Sequence, residues 1–201
     1  MALLTAIDQR IILASASPRR RQLFRLITEN FEIMESDIDE SFAPEETPPE
    51  IVRRLAYSKA ARIAEKISRG IVVGADSLVV LNQHILGKPA NAAEAAGMLR
   101  LLSGAAHQVF TGFSIIQQPE NKTVTNFAAT TVKFRNLAEW EIQRYLQVGE
   151  PLDKAGAYGI QNEAALFIEE IFGCYYNVMG LPVSAVFQAL LQFIQPNGQP
   201  F

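Results

Sequence analysis

Apolar positions fall along the chain as unbroken runs, as alternations and as helical stripes, and each rhythm predicts a different element. Ile11-Ile12-Leu13-Ala14 is an unbroken run and predicts a buried strand. Ser15-Ala16-Ser17-Pro18 follows at once. Ser17 suits an N-cap and Pro18 the first helical position, where a missing N–H costs nothing. Leu23, Leu26 and Ile27 then recur at helical spacing, so the opening reads strand, tight turn, helix. Phe31 to Ile38 predicts a second strand. Thr47-Pro48-Pro49-Glu50 has the pattern of a capping box and predicts a helix to about Ser68, with Gly70 at its C-terminal cap. Ile71-Val72-Val73-Gly74-Ala75 predicts a fully apolar strand. Leu78 to Leu81 and Ile85-Leu86 flank Asn82-Gln83-His84 and predict a hairpin. Asn91 with Glu94 caps a helix that ends near Ser103-Gly104.

Gln108 to Gln117 and Thr123 to Phe134 alternate and are rich in β-branched residues. Pro119-Glu120-Asn121-Lys122 turns between them, which predicts an antiparallel hairpin. Leu137 to Gln147 reads as a short helix and Gly149 to Gln161 as a loop. Ala165 to Ile171 reads as one more strand and Pro182 to Ile194 as a last helix. Residues 194–201, with two Pro and one Gly, predict a loose tail. The order of elements predicts an α/β fold with a mixed sheet, in a single domain spanning 1–201.

Composition narrows the class. The chain has 201 residues, 49% hydrophobic and 19% charged, which fits a globular protein and not a disordered one. At this length roughly 70% of the unfolded surface is removed from water, enough for a core without staples. The net charge of −3 argues against wrapping nucleic acid through bulk positive charge. The single cysteine, Cys174, has no internal disulfide partner and excludes CxxC metal sites; nothing local would activate it, so it reads as structural. No apolar run approaches the ~18 residues of a membrane span. The expectation is a soluble cytoplasmic protein without a nucleic-acid or membrane partner.

A few residues stand out against this background. The first turn carries Ser15, Ser17, Arg19 and Arg20, hydroxyls and guanidinium forks that suit a polyphosphate. A capped surface helix with solvated arginines would look the same. The pattern is not a P-loop, because its glycines and its Gly-Lys-Ser/Thr ending are absent. Lys59 shares a helical column with Leu55 and Ile63, inside the apolar stripe of Val52, Ala56 and Ala60. It either points a cation at an anionic ligand or snorkels its stem. Asp76 ends an apolar strand, where ligands sit in open α/β sheets. It suits a hard cation or a general base, and equally an Asx turn. Asp39 and Glu40 in the acidic loop are candidates for a second carboxylate, and Lys88 for a further phosphate ligand. His84 and His107 are too far apart in sequence to suggest a local metal pair, and His107 reads as hydrogen-bonded within the fold. Together these residues suggest metal-assisted hydrolysis of a phosphorylated small molecule, with no obvious covalent nucleophile.

Leu13-Ala14-Ser15-Ala16-Ser17-Pro18-Arg19-Arg20 resembles the opening signature of the Maf family of nucleoside triphosphate pyrophosphatases. The resemblance continues in order through Ile38-Asp39-Glu40, Leu55-Ala56 to Lys59-Ala60, Gly74-Ala75-Asp76-Ser77, Gly87-Lys88-Pro89 and His107-Gln108-Val109 to Thr111-Gly112. It ends with Glu150 to Gln161 and Val178-Met179-Gly180-Leu181-Pro182, and so covers nearly the whole chain. It implies a two-lobed fold around a long mixed β-sheet with a central cleft, similar to inosine triphosphate pyrophosphatases. It implies house-cleaning hydrolysis of a nucleoside triphosphate to the monophosphate and pyrophosphate, with a divalent metal, Mg2+ or Mn2+, and a homodimer. By motif, Asp76 looks like the general base or metal-side carboxylate and Glu40 like a metal ligand. Ser15, Arg20, Lys59 and Lys88 look like the polyphosphate set.

Within the family, the branch acting on dTTP and UTP has arginine after Ser-Pro, threonine after the aspartate and a closing glutamine. This chain has Arg19, Ser77 and Gln161, so it is similar to that branch, with a serine in place of the threonine. The expected substrates are dTTP, UTP and modified pyrimidine triphosphates. The rival readings are the branch acting on 7-methyl-GTP and a non-catalytic nucleotide-binding regulator of cell division.

Overall fold

The computed structural model describes residues 9–148 and 151–194. Along the chain lie β1 (Ile11–Ala14), α1 (Pro18–Phe24), β2 (Glu32–Ile33), α2 (Pro48–Ala64), β3 (Gly70–Leu81), β4 (His84–Leu86) and α3 (Ala92–Leu102). They are followed by β5 (Ala106–Gln118), β6 (Lys122–Phe134), α4 (Glu139–Val148), β7 (Ile168–Phe172), α5 (Tyr175–Met179) and α6 (Val183–Leu190). The mixed sheet has the order β2-β1-β3-β5-β6-β7, with β4 paired to β3. The α/β expectation with a mixed sheet holds. Among the described residues no helix is long and apolar enough to cross a membrane.

Two compact units share the chain. The first runs to Asp76 and includes Thr111–Ala128 and the chain from Gly180; the second holds Ser77–Phe110 and Ala129–Met179. In the first unit β1 pairs in parallel with β2 and with β3, in the register Ile11↔Ile71 to Ala14↔Gly74. All four residues of β1 are buried, as an apolar run with both faces covered requires. Its core gathers Ile12, Ala14, Ala60, Ile63, Val72 and Ile116.

α2 is started as its sequence predicts. The Glu50 carboxylate accepts from both the backbone N–H (2.9 Å) and the hydroxyl (2.6 Å) of Thr47, and Pro48 and Pro49 need no donor there. The helix stops at Ala64, short of the expected Ser68. Its last turn tightens to three-residue bonds, Lys66 N–H to Ile63 O and Ile67 N–H to Ala64 O, which satisfy the terminal carbonyls.

Two glycines let α2 lie flush on the sheet. A Cβ on Gly74 of β3 would stand 2.4 Å from the Ala56 carbonyl oxygen and 2.7 Å from the Ala60 nitrogen. One on Gly112 of β5 would stand 2.1 Å from the Val52 carbonyl oxygen. Only backbone that lacks a side chain approaches a helix so closely.

The second unit packs Leu99, Leu102, Val132, Phe134, Tyr158 and Phe167 into its own core. Asn91 caps α3 by accepting from Glu94 N–H at 3.0 Å, and Glu94 accepts from Ala90 N–H at 2.7 Å. β4 pairs antiparallel with β3 and β7 with β6, the latter with a bulge at Lys133/Phe134.

Several boundaries differ from expectation. β3 is one strand through Asp76 and Ser77, because two polar residues do not break a ladder that is buried at every position but Ser77. β2 has only two residues, Glu32 and Ile33, paired with Ile12 and Leu13 of β1, and Met34 N–H adds one bond to the Leu13 carbonyl at 3.2 Å. The strand expected from Ala165 starts at Ile168. Asn162–Phe167 form a 3₁₀ segment instead, with Ala164 and Phe167 buried at its period of three. α5 was not signalled by apolar spacing. Ile194 is buried; the rest of the expected tail, 195–201, lies outside the described residues, as do Gly149 and Glu150 of the expected loop.

Glycine substitutions of opposite sign test the seating of α2. Gly74→Ala should destabilise by about 1–3 kcal/mol through overpacking against helix backbone. Gly97→Ala, in α3 with open space at its Cβ position, should stabilise by about 0.5–1 kcal/mol. Urea unfolding of both variants reads the signs, and equal effects would contradict the close contact.

Candidate functional site

The site in the first unit is organised around one ammonium group. Lys59 comes from the buried face of α2, three residues after Ala56 and one before Ala60, the two residues that touch Gly74. Its Nζ donates to Asp76 Oδ1 at 2.6 Å and forms an ion pair with Glu40 Oε1 at 2.6 Å. The Lys59 and Asp76 side chains are each 9% exposed, whereas that of Glu40 is 50% exposed. Lys59 therefore does not snorkel. It is held below the surface by two carboxylates, as a buried charge must be.

Seating explains how Lys59 and Asp76 meet. Gly74 and Asp76 lie two apart in β3 and face the same side of the sheet. The side that admits α2 at Gly74 thus presents Asp76 to the same helix. The parallel register of Ala14 with Gly74 also puts the turn after β1 beside Asp76 in the middle of β3.

That turn holds the next set of residues. Ser15 is buried, and its Oγ accepts from Ser17 N–H at 3.2 Å. Ser17 Oγ accepts from Arg20 N–H at 3.4 Å and caps α1, so Ser17 is a helix cap as well as a turn residue. Arg20 Nε donates to the Gly180 carbonyl at 2.8 Å, which ties the turn to the Met179-Gly180-Leu181-Pro182 motif. Enclosure of its guanidinium lowers the pKa of Arg20. The charge of Asp76 opposes that shift, Arg19 adds to it, and Glu40 opposes it. Arg20 thus lies within the field of both carboxylates. Arg19 is half-buried.

Of the two acidic candidates in the loop, only Glu40 faces Lys59. Asp39 is spent locally, accepting from Ser41 N–H at 2.9 Å and Ser41 Oγ at 2.8 Å. Among the described residues no three His, Cys, Asp or Glu side chains gather as a metal-binding group. Glu40 and Asp76 nevertheless fit a hard cation of the Mg2+ type. Such an ion takes one or two carboxylates and completes its shell with water and phosphate oxygens.

The remaining candidates belong to the second unit. Ser77 follows Asp76 in β3, is half-buried and faces the opposite side of the strand. Lys88 is exposed in the loop after β4. That loop is fixed by Gly156 N–H donating to the Gly87 carbonyl at 3.0 Å. Gly156 has φ +68° and packs on Val79, so the 153–161 segment turns tightly here. Gln161 precedes the 3₁₀ segment at its N-cap position and is half-buried.

His107, expected to hydrogen-bond within the fold, helps to hold this segment together with residues that the sequence did not single out. His107 Nε2 lies 2.7 Å from Tyr158 Oη, and both rings stack edge-on with Phe134. Burial pushes the His107 imidazole down to about 4 and raises the Tyr158 phenol. Lys154 pairs with Asp153 at 2.6 Å, and its stem packs against Gly159. Cys174 N–H donates to Thr130 Oγ1 at 3.1 Å, a structural contact.

Comparison with known proteins gives the fold first. The architecture is similar to that of the Staphylococcus aureus Ham1 protein, with a TM-score of 0.53 over 92% of this chain and 99% of that one, at 15% identity. The family follows from sequence. The chain belongs to the Maf-like protein family, whose model matches residues 10–193. A dTTP/UTP pyrophosphatase of Bacillus cereus (strain Q1) is 48% identical over 185 residues, 92% of this chain and 96% of the relative. One of Clostridium botulinum (strain 657 / Type Ba4) is 45% identical over 186 residues, 90% of this chain and 96% of the relative.

The buried histidine makes stability depend on pH with a defined sign. His107 is neutral in the fold and titrates near 6.5 when unfolded, so below that pH the unfolded chain binds the extra proton. Stability should be level above about pH 6.5 and fall by about 1.4 kcal/mol per pH unit toward pH 4.5. Urea melts across this range check the slope, and His107→Gln should flatten it.

Proposed function

We propose that this chain is a nucleoside triphosphate pyrophosphatase that splits dTTP, UTP and modified pyrimidine triphosphates into the monophosphate and pyrophosphate. The observation that carries this reading is the meeting of Glu40, Lys59 and Asp76 at one point, in a family whose relatives bear that activity in their names. Arg20, in the field of both carboxylates, extends the set toward a polyanion.

Each residue then has a task. Ser15, Arg20, Lys59 and Lys88 bind the polyphosphate, and Arg19, Ser77 and Gln161 select the base. Glu40 and Asp76 would hold the divalent cation, which supplies charge neutralisation to the triphosphate when bound. The Asp76 carboxylate, which Lys59 positions at the site, takes a proton from the attacking water. The water oxygen bonds to phosphorus at the α–β anhydride, the anhydride bond breaks, and pyrophosphate leaves with the electron pair. Positioned cations bear the charge that develops.

The purified protein with Mg2+ or Mn2+ should release pyrophosphate from dTTP and UTP in preference to 7-methyl-GTP. Asp76→Asn should lower kcat by about 10²-fold or more with an unchanged circular dichroism spectrum. Ser77→Thr, which restores a methyl group, should sharpen the preference for dTTP and UTP over other triphosphates. Binding of triphosphate without turnover under every divalent metal would favour the regulator reading instead.

A further inference from the structure

A carboxylate pair meant for a metal ion is here already occupied by a cation of the protein's own. The Lys59 ammonium sits 2.6 Å from Glu40 Oε1 and 2.6 Å from Asp76 Oδ1, so a dication seeking both oxygens meets a positive charge between them. Lys59 is poorly placed to withdraw. Its side chain is 9% exposed, and α2 is clamped to β3 at Gly74 by backbone contact. Moving the ammonium into its apolar surroundings without a partner would strand a buried charge. The wider field gives a free dication little help. The two carboxylates are balanced by Lys59 and Arg20, and Arg19 adds a further positive charge in range of Arg20. Among the described residues no third carboxylate, His or Cys joins the pair, so these offer too few ligands to win this competition.

A polyphosphate changes each of these conditions. Its oxygens offer Lys59 a replacement partner, free the carboxylate oxygens and supply further ligands. We propose that Lys59 keeps the Glu40–Asp76 pair closed to a free divalent cation, so that the cation enters only together with a polyphosphate. The inference rests on the triphosphate reading above and specifies its order of binding. Because metal and polyphosphate favour the same rearrangement of Lys59, each must tighten the binding of the other by the same factor.

Equilibrium dialysis with Mn2+ tests this. The wild-type protein alone should hold Mn2+ no better than about 1 mM, the range of the weakest hard-cation sites. A non-hydrolysable α,β-imido analogue of dTTP, equal on both sides of the membrane, should tighten Mn2+ binding by the protein by roughly 10- to 100-fold. Lys59→Met should hold Mn2+ without any nucleotide at least tenfold more tightly than the wild type, with Lys59→Gln as a second variant if the first does not fold. Wild-type binding well below 0.1 mM without nucleotide, or no gain in a folded Lys59 variant, would overturn the proposal. So would the absence of any effect of the analogue. The metal-alone measurements need no turnover, and pyrophosphate release is measured on the same preparation. Turnover of dTTP by a wild type that binds Mn2+ tightly alone would sink the binding order and leave the activity standing. Lack of turnover with the expected metal behaviour would do the reverse.

Discussion

A lysine ammonium shut away from water has to be met by negative charge, and the first unit is arranged around that requirement. The desolvation of Lys59 and Asp76 would be prohibitive for either alone. Together, with half-exposed Glu40, they form a charge cluster that is tolerable because its members touch. The contact depends on a helix lying closer to a sheet than side chains normally permit. The bare backbone of Gly74 and Gly112 provides that closeness, and the small residues Ala56 and Ala60 keep it. The chemistry and the packing are thus one arrangement: the same helical turn that fills the core delivers the charge.

Parts of this were legible in the sequence for physical reasons. A lysine within an apolar stripe and an aspartate closing an apolar run each violate local expectation, and the two are partners, although the strand continues past Asp76. The capping box of α2 and the Asn91 cap of α3 were visible because they are short-range hydrogen bonds between residues three apart. Local pattern leaves Glu40 and Asp39 equivalent and only the family resemblance singles out Glu40, since the difference is tertiary: Asp39 closes a local turn with Ser41, and Glu40 reaches a distant helix. The seating glycines were equally silent. A glycine in a strand announces close approach but not what approaches. Strand lengths depart from the pattern where neighbours decide them, as in β2, which pairs with β1 over two residues only.

The second unit solves a different problem. Its 153–161 segment lacks regular structure for most of its length, yet it carries Gln161. An aromatic cluster does the fixing: His107, Phe134 and Tyr158 pack edge to face, and Gly159 N–H donates to Tyr145 Oη at 3.4 Å. Rings suit such a task because they fill space with few rotatable bonds. A neutral histidine within that cluster adds a hydrogen bond to Tyr158 without a buried charge.

The continuity of β3 limits how a lineage carrying this chain can change. Asp76 and Ser77 are neighbours on one ladder and look to opposite faces, so a point mutation at either leaves the other in place. The gain or loss of one residue between Gly74 and Ser77 would exchange the two faces and expel the carboxylate from its partner. A change of length in this strand would therefore cost the site its central pair, whereas a change of residue at Ser77 would not. Single-letter replacement there alters one side of the strand and leaves the Asp76–Lys59 contact on the other.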